Sequence, residues 1–168
     1  MMKKQYVLIG LSLLISLFIY LFYRTERTVV NELVIRLISV ETYMNLKTSI
    51  LRILPLNDVA VYSLPEGLWM FCITLTSKPY YIRLNGWRID CVCIPLIFCL
   101  TLEMLQLLHV TNGRFDLMDI GIFVLFWLLG RFKLNEGVEK RHLWTQMNGK
   151  TWVCLSSYGI VYLAHVLK

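Results

Sequence analysis

The stretch 89-IDCVCIPLIFCLTLEMLQLLHVTNGRFDLMDIGIFVLFWLLG-130 decides how this chain folds. It contains two apolar runs, roughly 89–108 and 117–130, joined by a short Gly-Arg-Phe-Asp turn. In hydrocarbon every backbone N–H and C=O must be satisfied within the segment, so runs of this kind are expected to cross a bilayer as helices. Ionisable groups nevertheless interrupt them. Glu103 and Gln106 lie three residues apart in the first run, and Asp119 enters the second. A carboxylate at the centre of a membrane helix costs about 2.5–3.5 kcal/mol even on the lenient insertion scale.

Three more apolar runs flank this pair. The first, 6-YVLIGLSLLISLFIYLFY-23, has no charge and follows Lys3 and Lys4. It is long for a signal peptide, and 20-YLFYR-24 lacks the small residues of a cleavage site, so it reads as an uncleaved anchor. The second, 64-LPEGLWMFCITLTS-77, starts with a capping-box pattern: Ser63 as N-cap, Pro65 in the first turn and Glu66 as the returning partner. The last run covers 151–167. The runs at 64–77 and 117–130 give only ~21 Å of helix each, so they must extend into their flanks or pack inside a bundle. Between the first two runs, Val30, Leu33, Val34, Leu37 and Ile38 recur at helical spacing, with Asn31, Glu32 and Arg36 facing elsewhere. This pattern predicts an amphipathic helix within 28–54, lying in the membrane interface and ending before Pro55.

Composition agrees with that reading. Of 168 residues, 57% are hydrophobic and 17% charged, with a net charge of +6 and a mean hydropathy of +0.60. The expected fold is all-α: a polytopic transmembrane helix bundle of about five spans with an interfacial helix, forming one membrane domain over 1–168. With the N-terminus inside, ten Lys and Arg fall in cytoplasmic segments and seven outside, and five of those seven lie in the long 24–62 segment. The positive-inside rule therefore favours N-in and C-out. Basic residues are dispersed between the runs and no phosphate loop occurs, so nucleic acid is not an expected partner. The five cysteines, Cys72, Cys91, Cys93, Cys99 and Cys154, form no CxxC pair or His/Cys zinc spacing; neither a disulfide framework nor a metal or other cofactor is expected.

Under this topology the polar residues gather in one leaflet. Glu66 opens the second span on its outer side. Glu103 and Gln106 share a face near the outer end of the third span. Arg114 and Asp116 lie in the outer turn, and Asp119 sits one turn inside the fourth span. Asp116 and Glu66 can act as helix caps. Glu103 cannot, because it lies towards a C-terminus, where the helix dipole opposes negative charge. A specific network of Glu66, Glu103, Gln106, Arg114, Asp116 and Asp119 is therefore expected.

The pattern Glu103-x-x-Gln106, Gly113-Arg114-Phe115 and Asp119 resembles the VanZ-like family of small bacterial integral membrane proteins, over roughly 60–132. Two features depart from it. Where family members carry Asp-Lys-x-x-His-Phe, this chain has Glu66-Gly67-Leu68-Trp69-Met70-Phe71, and Phe123 stands at the family's Asn. The resemblance implies a role in the envelope at the bacterial cytoplasmic membrane; the family's named association is low-level resistance to the glycopeptide teicoplanin. Three function classes follow. The leading one is a non-enzymatic envelope protein whose outward polar pocket binds a lipid-linked precursor or lipid headgroup, with Arg114 on its anionic group. The others are a structural partner subunit, and an intramembrane enzyme using paired carboxylates. No Ser/His or Cys/His pair supports the enzyme; His109 is the single histidine near the cluster.

Overall fold

The computed structural model describes residues 2–24, 29–111, 115–132, 140–144 and 148–166. The described chain is mostly helical, in the order α1 (Met2–Phe22), α2 (Val29–Ile38), α3 (Val40–Ile53), α4 (Asp58–Ser77), β1 (Tyr80–Leu84), β2 (Trp87–Asp90), α5 (Cys93–Leu107), α6 (Leu117–Phe132), β3 (Arg141–His142) and α7 (Gly149–Val166). Two helices are long and apolar enough to cross a membrane, Lys4–Phe22 and Asp58–Ser77, and Cys93–Leu107 is a shorter apolar helix.

α4 is the hub, and small side chains let its neighbours approach. Ser12, Ser16, Ile19 and Tyr23 form one buried stripe on α1, spaced to share a helix face. The pairing Cys72 Sγ to the Ile9 carbonyl at one end, and Arg24 to the Tyr62 carbonyl at the other, makes α1 antiparallel to α4. α6 runs parallel to α4. A Cβ on Gly67 would lie 2.5 Å from Phe126 Cδ2 and 2.7 Å from Ile122 Cγ2, and one on Gly130 would lie 2.8 Å from Thr74 Cγ2. Both glycines are thus required by helix approach, the usual basis of packing where lipid supplies no hydrophobic drive. α7 meets the other end of α4 through hydroxyls: Thr76 Oγ1 to Ser157 Oγ at 3.1 Å and Ser77 Oγ to Tyr158 Oη at 2.9 Å.

Several expectations are corrected here. The second span begins at Asp58, not after Ser63. Asn57 is its N-cap, accepting Ala60 N–H at 2.9 Å, and Asp58 places negative charge in the first turn. Ser63, Pro65 and Glu66 are therefore interior residues, and the capping box does not form. The segment expected as one interfacial helix is two, broken at Ser39 (φ 71°), whose hydroxyl caps α3 by accepting Thr42 N–H. On α2, Asn31 is buried and Val34 half-buried, while Arg36 and Leu37 are exposed, so burial does not follow the polar and apolar sets read from the sequence.

The segment between α4 and α5 is also more than a loop, and the third apolar run enters its helix only at Cys93. β1 and β2 pair antiparallel around the two-residue turn Asn85-Gly86, with φ of 47° and 83°, the left-handed values that Asn-Gly hairpin turns adopt. β3 adds to β1 in parallel, giving the order β2-β1-β3. Beneath the sheet Tyr80, Cys91, Leu143 and Cys154 form a small core, tied to α7 by Tyr158 Oη donating to the Cys91 carbonyl at 3.1 Å.

Candidate functional site

Chain direction brings four ends together. The C-terminal ends of α1 and α5 and the N-terminal halves of α4 and α6 lie at one end of the bundle, and each carries an ionisable group. The group that sequence reasoning missed is Arg24. It follows the last turn of α1 and is only 4% exposed. Its Nη2 donates to the Tyr62 carbonyl at 2.9 Å and lies 3.5 Å from Glu66 Oε1, the glutamate being 25% exposed. Its guanidinium stacks 4.2 Å above the Tyr20 ring and faces Tyr62 at 5.6 Å. Its Nε is buried with no acceptor among the described residues. The signal was present in 20-YLFYR-24, a lone Arg directly after an uncharged run, but it reads equally well as an interfacial anchor.

α3 fixes the backbone around this arginine. Lys47 Nζ donates to the Arg24 carbonyl at 3.0 Å, Tyr43 donates its hydroxyl to the Leu21 carbonyl, and Tyr23 donates to the Leu54 carbonyl. The first two satisfy carbonyls that the end of α1 would otherwise leave open, and the third does so for the C-cap of α3. Burial raises the Tyr43 phenol above its usual range.

Glu103, 6% exposed, accepts the Asp116 N–H on Oε2 at 3.3 Å. It stands within electrostatic reach of Asp119, Glu66 and Asp116, and Cys99 within reach of Glu66 and Glu103. The contact shown directly is the one between Glu103 and the Asp116 backbone. Asp116 itself is exposed and accepts Met118 N–H on Oδ1 at 2.8 Å, which is the capping role expected of it. Asp119 is half-buried in the first turn of α6. Gln106 is half-buried, and its side chain makes no hydrogen bond to the carboxylates among the described residues. Arg114 lies outside the described residues.

His109 has a structural account. It sits at φ 56° just past α5, with its N–H on the Gln106 carbonyl at 3.0 Å and Val110 N–H on the Leu105 carbonyl at 2.9 Å. This is a Schellman stop with histidine in the position usually held by glycine. Among the described residues the His109 side chain makes no hydrogen bond to the cluster.

The arrangement is one buried cation among several acids at the mouth of an apolar bundle. It can hold a polar group against Arg24, or it can lock four helices together. Comparison with models of known protein families, with characterised proteins and with solved structures finds no match.

Proposed function

We propose that the chain is a VanZ-like, multi-pass protein of the bacterial cytoplasmic membrane whose outer-leaflet polar pocket binds the anionic head of a lipid-linked envelope precursor. In this reading α1, α4, α5, α6 and α7 are the five spans, the N-terminus is inside, and α2 and α3 lie at the outer interface. The observation that carries it is Arg24: a guanidinium buried at a span end, with its Nε lacking an acceptor among the described residues. Burying such a donor unpaired is costly, and a phosphate oxygen would relieve that cost. Glu66 holds the guanidinium in place, and Glu103 accepts the Asp116 N–H just before α6.

The test is binding of a polyprenyl pyrophosphate to the purified protein in nanodiscs. Arg24→Gln is expected to weaken it by about tenfold or more, the worth of one charge-assisted bond. In cells, alanine at Glu103 or Arg114 should change envelope-drug sensitivity at normal protein level; unchanged sensitivity removes the binding role.

A second reading is favoured by the Asp116–Glu103 and Arg24–Glu66 contacts, which are internal to the protein. There the network only fixes helix packing in a partner subunit. Loss of detergent stability on Glu103→Gln, with ligand binding and drug sensitivity unchanged, would select it.

A further inference from the structure

At the opposite end of the bundle, the β1–β2 hairpin is amphipathic across its two faces. Residues opposite one another in the register share a face, and faces alternate along each strand. Leu84 pairs with Trp87, and Arg83 pairs with Arg88. The tip therefore presents Leu84, 62% exposed, and Trp87, 78% exposed, on one side, and two exposed guanidiniums on the other.

Neither pair is explained by the fold. A large cross-strand apolar pair left in water gains nothing from burial, and like charges placed directly opposite are destabilising. Arg88 has some relief, stacking 4.1 Å above Tyr81 and lying 4.0 Å from Asp90. Arg83 has no ion-pair partner among the described residues. Asp90 is the single acid of the hairpin, and it is already paired with Lys140. Arg88, Asp90, Cys93 and Lys140 also line an open depression of about 530 Å³.

We propose that this hairpin docks onto the anionic surface of the inner leaflet, with Leu84 and Trp87 entering the headgroup boundary and Arg83 and Arg88 drawn by lipid phosphate. The hairpin leaves α4 within three residues of its last turn and returns directly into α5, so it is tethered at the membrane surface. An exposed Trp beside a Leu is the composition that partitions to such a boundary. A sheet layer is about 10 Å thick, so guanidiniums on the ribbon's far face lie roughly one Debye length of about 8 Å from the phosphates, where the field is weakened but still felt. The fixed tip of the Asn-Gly turn keeps the two faces from interchanging.

This proposal rests on the membrane reading above but not on the outer pocket. It is tested on the full chain reconstituted in vesicles containing brominated phosphatidylcholine, with or without phosphatidylglycerol. Trp87 emission is obtained as the difference between wild type and Trp87→Phe. With phosphatidylglycerol present, Trp87 should be quenched; Arg83→Gln with Arg88→Gln should lower the docked-to-free ratio by roughly three- to fourfold, about twofold per arginine. In phosphatidylcholine alone the double variant should match wild type. Equal quenching with and without anionic lipid overturns the charge recognition, and no quenching in either overturns the docking and points to a protein partner for the tip. Flotation of every variant with the vesicles separates failure of docking from failure of membrane insertion. All three substitutions are at exposed positions, so folding is not at issue.

Discussion

Replacing Arg24 by Met tests the network most directly, because Met keeps much of the apolar stem and removes only the guanidinium. Four contacts are lost: the bond to the Tyr62 carbonyl at 2.9 Å, the ion pair with Glu66 at 3.5 Å, the stacking on Tyr20 at 4.2 Å, and the looser contact with the Tyr62 ring at 5.6 Å. A hydrogen bond from a charged donor is worth about 1.5–3 kcal/mol. The ion pair adds about 1 kcal/mol at most, since Glu66 is a quarter exposed and water screens it. Stacking adds about 0.5–1 kcal/mol. The missing acceptor at Nε works against these, and such contributions are not additive, so the expected loss is about 3 kcal/mol. That is roughly a hundredfold in the folded-to-unfolded ratio. Glu66→Gln can still accept from Arg24, so it should cost only about 1 kcal/mol, and the double variant should lose about 1 kcal/mol less than the sum of the singles. Unfolding in mixed detergent micelles, followed by helicity, measures all four proteins. An Arg24→Met protein within about 0.5 kcal/mol of wild type would refute the claim that this arginine organises the end of the bundle.

Other outcomes follow from the same structure. Gly67→Ala places a Cβ against Phe126 and Ile122 and should cost about 1–3 kcal/mol, with Phe126→Leu recovering part of it, measured by the same unfolding assay. Asn57→Ala removes the cap of α4 and should cost about 1 kcal/mol. His109→Gly should be neutral or stabilising by up to about 1 kcal/mol because glycine suits the left-handed stop, whereas His109→Val should destabilise. Burial pushes the Cys91 thiol up from 9.0 to about 11. Alkylation of the folded protein at pH 8, followed by peptide mapping, should thus find Cys91 with about a hundredfold less thiolate than an unperturbed cysteine. Because folding favours its protonated form, this thiol's contribution to stability is complete below pH 9.0 and is lost as pH rises through about 11.

What the sequence disclosed depended on whether the signal was local or relational. Apolar runs are local, so the helices at 6–23 and 117–130 were legible. Boundaries were harder. Ser63 and Glu66 have the spacing of a capping box, but Asn57 caps first, and once the helix runs from Asp58 an interior Pro65 is tolerated in its second turn. The hairpin was locally encoded as well: 80-YYIRLNGWRID-90 carries Asn-Gly between β-prone residues. It was obscured because Ile89 and the cysteines beyond it merge with the next apolar run.

Arg24 was invisible for a different reason. Its meaning lies in Glu66, 42 residues away, and no local pattern distinguishes a buried span-end arginine from one that snorkels to water. Arg114, the basic residue closest in sequence to the acids, lies outside the described residues, so Arg24 stands beside that expectation and does not replace it. Only packing of α1 against α4 reveals that Arg24 reaches Glu66. The two ends of the bundle now divide the polar chemistry, with buried pairing around Arg24 at one and solvent-facing arginines on a tethered hairpin at the other. Variants at the two ends should therefore separate cleanly, with Arg24→Met lowering stability and Arg83→Gln, which removes a like-charge pair, leaving it equal or slightly higher.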